Sequence, residues 1–221
     1  MQKLFFILIF SFFICRQSIS ADCSSIEINP EIKITSSYGK LLYDTSKNIS
    51  QITELAKKFN LVEKGVFAAG LSTVNINFDI TINTFGKPIN KSKFCIIPSE
   101  INIFLGLNSP IIYLSNELEK NSCEYKLVLR HEQTHQQINK TTLEYFLPIF
   151  KKAVKRIIKK IEPIETEDIK NIEKITGELT IKYNKKLTPL VDFIKKEMLK
   201  EQYKLDNTDN YQFENSLCSQ N

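Results

Sequence analysis

At 221 residues and 42% apolar, the chain can bury a real core, but it suits one domain or two closely packed lobes rather than a string of modules. A net charge of +5 is too mild to argue for a nucleic-acid partner. Five cysteines without a C-x-x-C spacing make a structural zinc site improbable.

Lys3 precedes an apolar run over residues 4–15, interrupted at Ser11, and Arg16 and the small-residue stretch Ser18-Ile19-Ser20-Ala21 follow. This layout reads as a secretory signal peptide (residues 1–20) cleaved after Ser20, with an uncleaved N-terminal anchor as the alternative. The run is too short to span a bilayer comfortably, and no later stretch comes closer, so no stable membrane insertion is expected after cleavage. Asp22 ahead of Cys23 argues against a lipoprotein signal. Cleavage leaves 28 basic and 25 acidic residues, a net +3, and four cysteines. An even number in an exported chain points to two disulfides with three possible pairings. Cys23 with Cys95 and Cys123 with Cys218 are favoured, the second tying the start of a long helix to the tail. The expected compartment is the periplasm or the medium.

Residues 25–37 alternate through Ile26, Ile28, Ile32 and Ile34 and predict a strand broken at Pro30; residues 41–43 predict a second. Ser50 reads as the N-cap of a short amphipathic helix carrying Ile52, Leu55 and Phe59. Residues 74–82 alternate strongly, Gly86-Lys87-Pro88 punctuates a turn, and residues 94–107 form the partner of an antiparallel hairpin. Residues 111–114 read as a short edge strand. From Cys123 the pattern is helical, with a kink at Pro148 and an end near Pro163. A second helical region spans residues 167–205, divisible at Thr188-Pro189 into two helices, and the tail from Asp206 reads as irregular. The basic cluster Lys151, Lys152, Lys155, Arg156, Lys159 and Lys160 interleaves with apolar residues at helical spacing and reads as a solvated face.

His131-Glu132-Gln133-Thr134-His135 reads H-E-x-x-H and holds both histidines of the chain. Four residues apart on a helix, the two imidazoles share a face and can ligate one Zn2+ ion. Glu132 between them can serve as general base toward a water activated by the metal. The spacing therefore predicts a zinc-dependent hydrolase acting on a peptide or protein. A catalytic zinc needs a third protein ligand. Glu144 is excluded, because nine residues at 3.6 per turn place it opposite His135. Asp192 would lie level with His135 in an antiparallel hairpin, Glu178 would require a bent one, and Asp206 a tail that folds back. Tyr203 or Tyr211 can offer a hydrogen bond to an oxyanion, and the strand at 111–114 can align an extended peptide.

The chain resembles a family of exported bacterial zinc-dependent proteases, otherwise described as a domain of unknown function. The resemblance runs through the Tyr43 segment, the strand entry from Ala69 to Phe78, Phe94-Cys95, Leu129-Arg130-His131-Glu132, and the tail from Gln202 to Tyr211. The family's tail pattern has an aspartate, a threonine three residues on, then histidine and glycine. Asp206 matches the aspartate, but Asp209 stands at the threonine position, Asn210-Tyr211-Gln212 lacks both histidine and glycine, and Thr134 replaces a frequent glycine. If the family's tail histidine is a ligand, the resemblance implies that Asp206 or Tyr211 takes its place here or that metal is bound poorly. The expected set is His131, His135 and Asp206 with Glu132 catalytic, and the altered tail implies a weakened or lost activity as the alternative. The expected fold is α+β: an N-terminal antiparallel sheet with a short helix (residues 21–118), then a zincin-like helical half (residues 119–221). A non-catalytic binding or scaffold protein on the same fold is the competing expectation.

Overall fold

The computed structural model describes residues 22–59, 61 and 66–218. The apolar run and the expected cleavage point lie outside them. After a short 3-10 turn at Cys23–Ser25 come β1 (Glu31–Thr35), β2 (Leu42–Asp44), α1 (Ile49–Lys58), β3 (Gly70–Pro88) and β4 (Phe94–Leu114). Then follow α2 (Cys123–Ile158), β5 (Ile164–Thr166), α3 (Ile172–Leu205) and α4 (Thr208–Ser216).

The protein is α+β, but its sheet is mixed rather than antiparallel. The 21-residue β4 is its spine. Along one side β3 pairs antiparallel from Gly70↔Leu114 to Pro88↔Phe94. Along the other, β5, β1 and β2 lie end to end against successive stretches of β4, β5 antiparallel and the other two parallel. The β1 and β2 segments thus act as one interrupted strand; Leu107 N–H donates to Ser37 O at 2.8 Å where the chain leaves the edge between them. Residues 111–114 are therefore central, not an edge as expected. Among the described residues β3 pairs with β4 alone and forms one edge of the sheet, and β5, β1 and β2 form the other. The hairpin turn comes after Pro88, where Ile89 N–H donates to Lys93 O, and Gly86 stays within the strand. A Cβ there would meet Ile169 Cδ1 at 2.1 Å, so a larger residue would have to turn the Ile169 side chain aside.

Helices α2 and α3 cover one face of this sheet. Ile80, Ile82, Ile101, Ile103 and Leu105 meet Leu143, Phe150 and Val154 of α2 and Leu179, Tyr183 and Leu187 of α3 in one buried cluster. On the other face, α1 packs Ile52 and Ala56 against Leu71. Its cap is Asn48 rather than Ser50, in a reciprocal bond pair with Gln51. Neither internal proline breaks its helix: α2 runs 36 residues through Pro148 and α3 runs 34 through Pro189. Both prolines are exposed, so the carbonyl each leaves without a helical donor faces water. Thr188 sits inside α3 and bonds back to Asn184 O at 2.9 Å instead of capping a new helix. The tail is helical too. Both favoured disulfides, Cys23–Cys95 and Cys123–Cys218, are present.

Candidate metal centre

Ser122 opens α2 by accepting from Tyr125 N–H at 3.0 Å, and two turns on the helix turns His131, Glu132 and His135 inward. Helix α3 ends at Leu205 with Asp206 as its C-cap, and Asn207 at once caps α4 by accepting from Asn210 N–H at 2.8 Å. This two-residue reversal folds the tail back over α2, and the Cys123–Cys218 bridge holds its far end to the start of α2.

Three ligand-type atoms meet there. Asp206 Oδ1 lies 3.2 Å from His131 Nε2 and 3.0 Å from His135 Nε2, and the two imidazole nitrogens are 3.1 Å apart. A tetrahedral zinc with bonds of about 2.0 Å separates its ligands by about 3.3 Å, so the triangle has the size of one face of such a site. Among the described residues, His131, His135 and Asp206 form the group of His, Cys, Asp and Glu side chains able to hold a metal ion.

The bonds behind the imidazoles decide which way their lone pairs point. His131 Nδ1 faces Glu214 Oε2 at 2.9 Å. His135 Nδ1 faces Gln202 Oε1, and Gln202 is locked in that orientation because its Nε2 donates to His135 O at 3.0 Å and to Asn139 Oδ1 at 2.7 Å. Each Nδ1 therefore carries a proton, and each Nε2 presents a lone pair toward Asp206. Two lone pairs and a carboxylate oxygen converging at 3 Å call for a shared cation. With no metal bound, a proton fills that role: a charged imidazole donates from Nε2 to Asp206 Oδ1. Burial alone would lower both histidines, yet Asp206, Glu132 and their other carboxylate and amide neighbours raise them. Burial would raise Asp206, yet the bonds from His131 and His135 hold it well below the ordinary carboxylate range.

Glu132 is nearly enclosed where β3 descends onto α2. Burial pushes its carboxyl up to about 7 against the lowering effect of the two imidazoles, and Ser72 N–H bonds to it. Its Oε2 has no hydrogen-bond partner among the described residues. Gly70 makes this approach possible, since a Cβ there would stand 2.6 Å from Val128 Cγ1 and 2.8 Å from Glu132 Oε1. Gln136 pins the same strand through Ser72 Oγ at 2.6 Å and Thr73 O at 3.0 Å. Tyr211 stacks on His131 with ring centroids 5.1 Å apart. Its hydroxyl donates to Asp206 Oδ1 at 3.0 Å and lies 3.5 Å from His131 Nε2, and burial together with Asp206 raises its pKa.

Of the carboxylates weighed from sequence, Asp206 joins the histidines and the others do not. Asp192 and Glu178 stand exposed beside Lys195 and Lys174, each at 4.0 Å, and Glu144 beside Lys140 at 3.8 Å. Tyr203 is exposed, whereas Tyr211 lies at the cluster. Gln202, Glu214, Ser72 and Gly70 escaped the sequence reading. A signal existed for one of them: Asn207 is a good N-cap, and a helix begun there puts Tyr211 and Glu214 on one face. No family model matches the chain, and no curated protein or solved structure matches it either.

Proposed function

We propose that the protein is an exported zinc-dependent peptidase. The observation that carries this reading is the triangle of His131, His135 and Asp206 beside a buried carboxylate, Glu132, with an unpartnered oxygen. The two disulfides suit an oxidising, extracytoplasmic setting, and among the described residues no helix is long and apolar enough to cross a membrane. Zinc held by these three side chains supplies Lewis acidity toward a water and toward a scissile carbonyl. Glu132, poised near neutrality, accepts the proton of the attacking water at Oε2 and hands it to the leaving amine. Glu214 and Gln202 keep the imidazoles in the ligating tautomer. The Tyr211 hydroxyl swings from Asp206 to donate to the oxyanion. An extended substrate lies along the outer edge of β3, which takes over the aligning role first expected of residues 111–114. This assignment agrees with the resemblance to exported bacterial zinc-dependent proteases.

One observation favours a non-catalytic binding protein instead. The Tyr211 hydroxyl lies 3.0 Å from Asp206 Oδ1 and 3.5 Å from His131 Nε2, close enough to compete with a water for a bound metal. Metal stoichiometry and peptide hydrolysis on wild type, His135→Ala, Glu132→Gln and Tyr211→Phe decide between the two readings. A peptidase binds one zinc per chain, loses it in His135→Ala, and loses hydrolysis but not zinc in Glu132→Gln. Tyr211→Phe then lowers kcat. Zinc binding without hydrolysis in either the wild type or Tyr211→Phe supports the binding protein, and hydrolysis that survives Glu132→Gln refutes the mechanism.

A further inference from the structure

The far end of the α2–α3 hairpin is strongly cationic, with Glu144, Glu162, Glu178 and Asp192 at its borders. Residues 145–161 contain six cations and residues 179–191 contain three more, Lys182, Lys185 and Lys186, with no Asp or Glu in either stretch. Nine positive charges therefore fall on two neighbouring stretches, which meet where Tyr183 Oη donates to Lys160 O at 3.2 Å, on a chain of net +5 whose remainder is net acidic. Among the described residues none of the nine forms an ion pair, although cations elsewhere on α3 do: Lys195, Lys200 and Lys204 all face carboxylates. The helix dipole accounts for cations in the last turn of α2 but not for those in the middle of α3. The two helices also combine their charges: Arg156, Ile157, Lys160 and Lys186 line one depression of about 250 Å³.

The same outer face holds apolar side chains that the core does not use. Tyr145 is 68% exposed, Ile149 53% and Phe193 52%. They are close neighbours, since Phe146 meets Tyr145 and Phe193 edge-on with centroids 5.0 and 5.5 Å away. Along α2, Tyr145, Ile149, Lys152 and Arg156 recur at three- and four-residue spacing, so aromatic, aliphatic and cationic groups share one stripe. A merely solvated face needs charge but not exposed large apolar groups among it. Long cationic stems around a shallow apolar strip are the chemistry of a surface that lies on an anionic bilayer, with rings in the headgroup region and ammonium groups on the phosphates.

We infer that this end of the α2–α3 hairpin is a docking face for an anionic phospholipid membrane. From sequence the α2 cluster reads as solvated; what alters that reading is the second helix, which adds unpaired cations and the exposed Phe193. The metal centre then stands off from the lipid. Arg156 is 21 residues beyond His135 on one helix, about 30 Å along its axis.

Every described element lies beyond residue 21, and the test uses the mature chain expected to begin at Ala21. Flotation of that chain with vesicles of phosphatidylcholine alone, or with about one third phosphatidylglycerol, tests the proposal at low and high salt. Binding is expected to the anionic vesicles only and to fall steeply with salt. Reversing Lys152, Arg156, Lys160 and Lys186 to Glu is expected to weaken it at least ~100-fold, since each cation near such a surface is worth about fivefold. Ile149→Ser with Phe193→Ser, which keeps every cation, is expected to weaken it about tenfold. Unchanged melting confirms that the variants fold. If the fourfold variant does not fold, the apolar pair and the salt dependence of the wild type still decide. No binding to anionic vesicles, equal binding to neutral ones, or retention on a soluble polyanion without vesicle binding would overturn the proposal. None of these outcomes depends on peptidase activity.

Discussion

The burial of Glu132 has a thermodynamic consequence that can be measured without a substrate. Its carboxyl moves from 4.5 to about 7 on folding, which corresponds to about 3 kcal/mol of differential stability between its two protonation states. The sign follows from linkage. Between these values the folded chain holds a proton that the unfolded chain has released, so stability falls as pH rises from 4.5 to about 7 and the penalty is complete above that. Glutamine at position 132 keeps an oxygen to accept from Ser72 N–H and removes the titration. Metal-free Glu132→Gln is therefore expected to be more stable than wild type by about 2–3 kcal/mol at pH 8.5, with the gap closing below pH 4.5. Urea unfolding with both disulfides intact and a chelator present measures this through the transition midpoint at constant m-value. Loading with zinc should shrink the gap, because a cation beside the carboxylate offsets its desolvation. Equal midpoints at pH 8.5, or a gap of the same size at pH 4.5, would refute the picture of Glu132 as a buried carboxylate held at a cost to the fold.

Glu214→Gln leaves all three metal-facing atoms in place but weakens the acceptor behind His131; zinc affinity should drop roughly 10–100-fold in competition with a chromophoric chelator, and an unchanged affinity would remove Glu214 from the site. Replacing Cys123 and Cys218 by serine opens a link across 95 residues; stability should fall by about 2–4 kcal/mol in urea, with α4 exchanging its amide protons faster than the rest of the chain. A Cβ added at Gly177 meets no atom within 4 Å, so Gly177→Ala should stabilise α3 by roughly 0.5–1 kcal/mol, seen as a rise in Tm. Gly70→Ala should do the opposite, pushing Glu132 or Val128 aside and abolishing hydrolysis before zinc binding.

What the amino-acid sequence determined by itself was whatever depends on near neighbours along the chain. His131 and His135 share a face because a helix repeats every 3.6 residues, and alternation along residues 74–82 sufficed to announce β3. The exposed Pro189, which suggests a division into two helices to a local reading, shows its limit: whether a proline ends a helix depended on the face it occupies and on how much core the helix buries on either side. Tertiary structure decided everything that depends on which distant segment arrives beside another. Parallel pairing of β2 with β4 placed residues 111–114 inside the sheet, and β3 became one of its edges. Selection of Asp206 over Asp192 rests on a two-residue reversal between α3 and α4. The meeting of Lys186 with Arg156 rests on the same hairpin packing. The physical reason is common to all three. Local geometry is set by backbone sterics and hydrogen bonds within a few residues, whereas long-range partners are chosen by the burial of apolar faces that no short window of sequence contains.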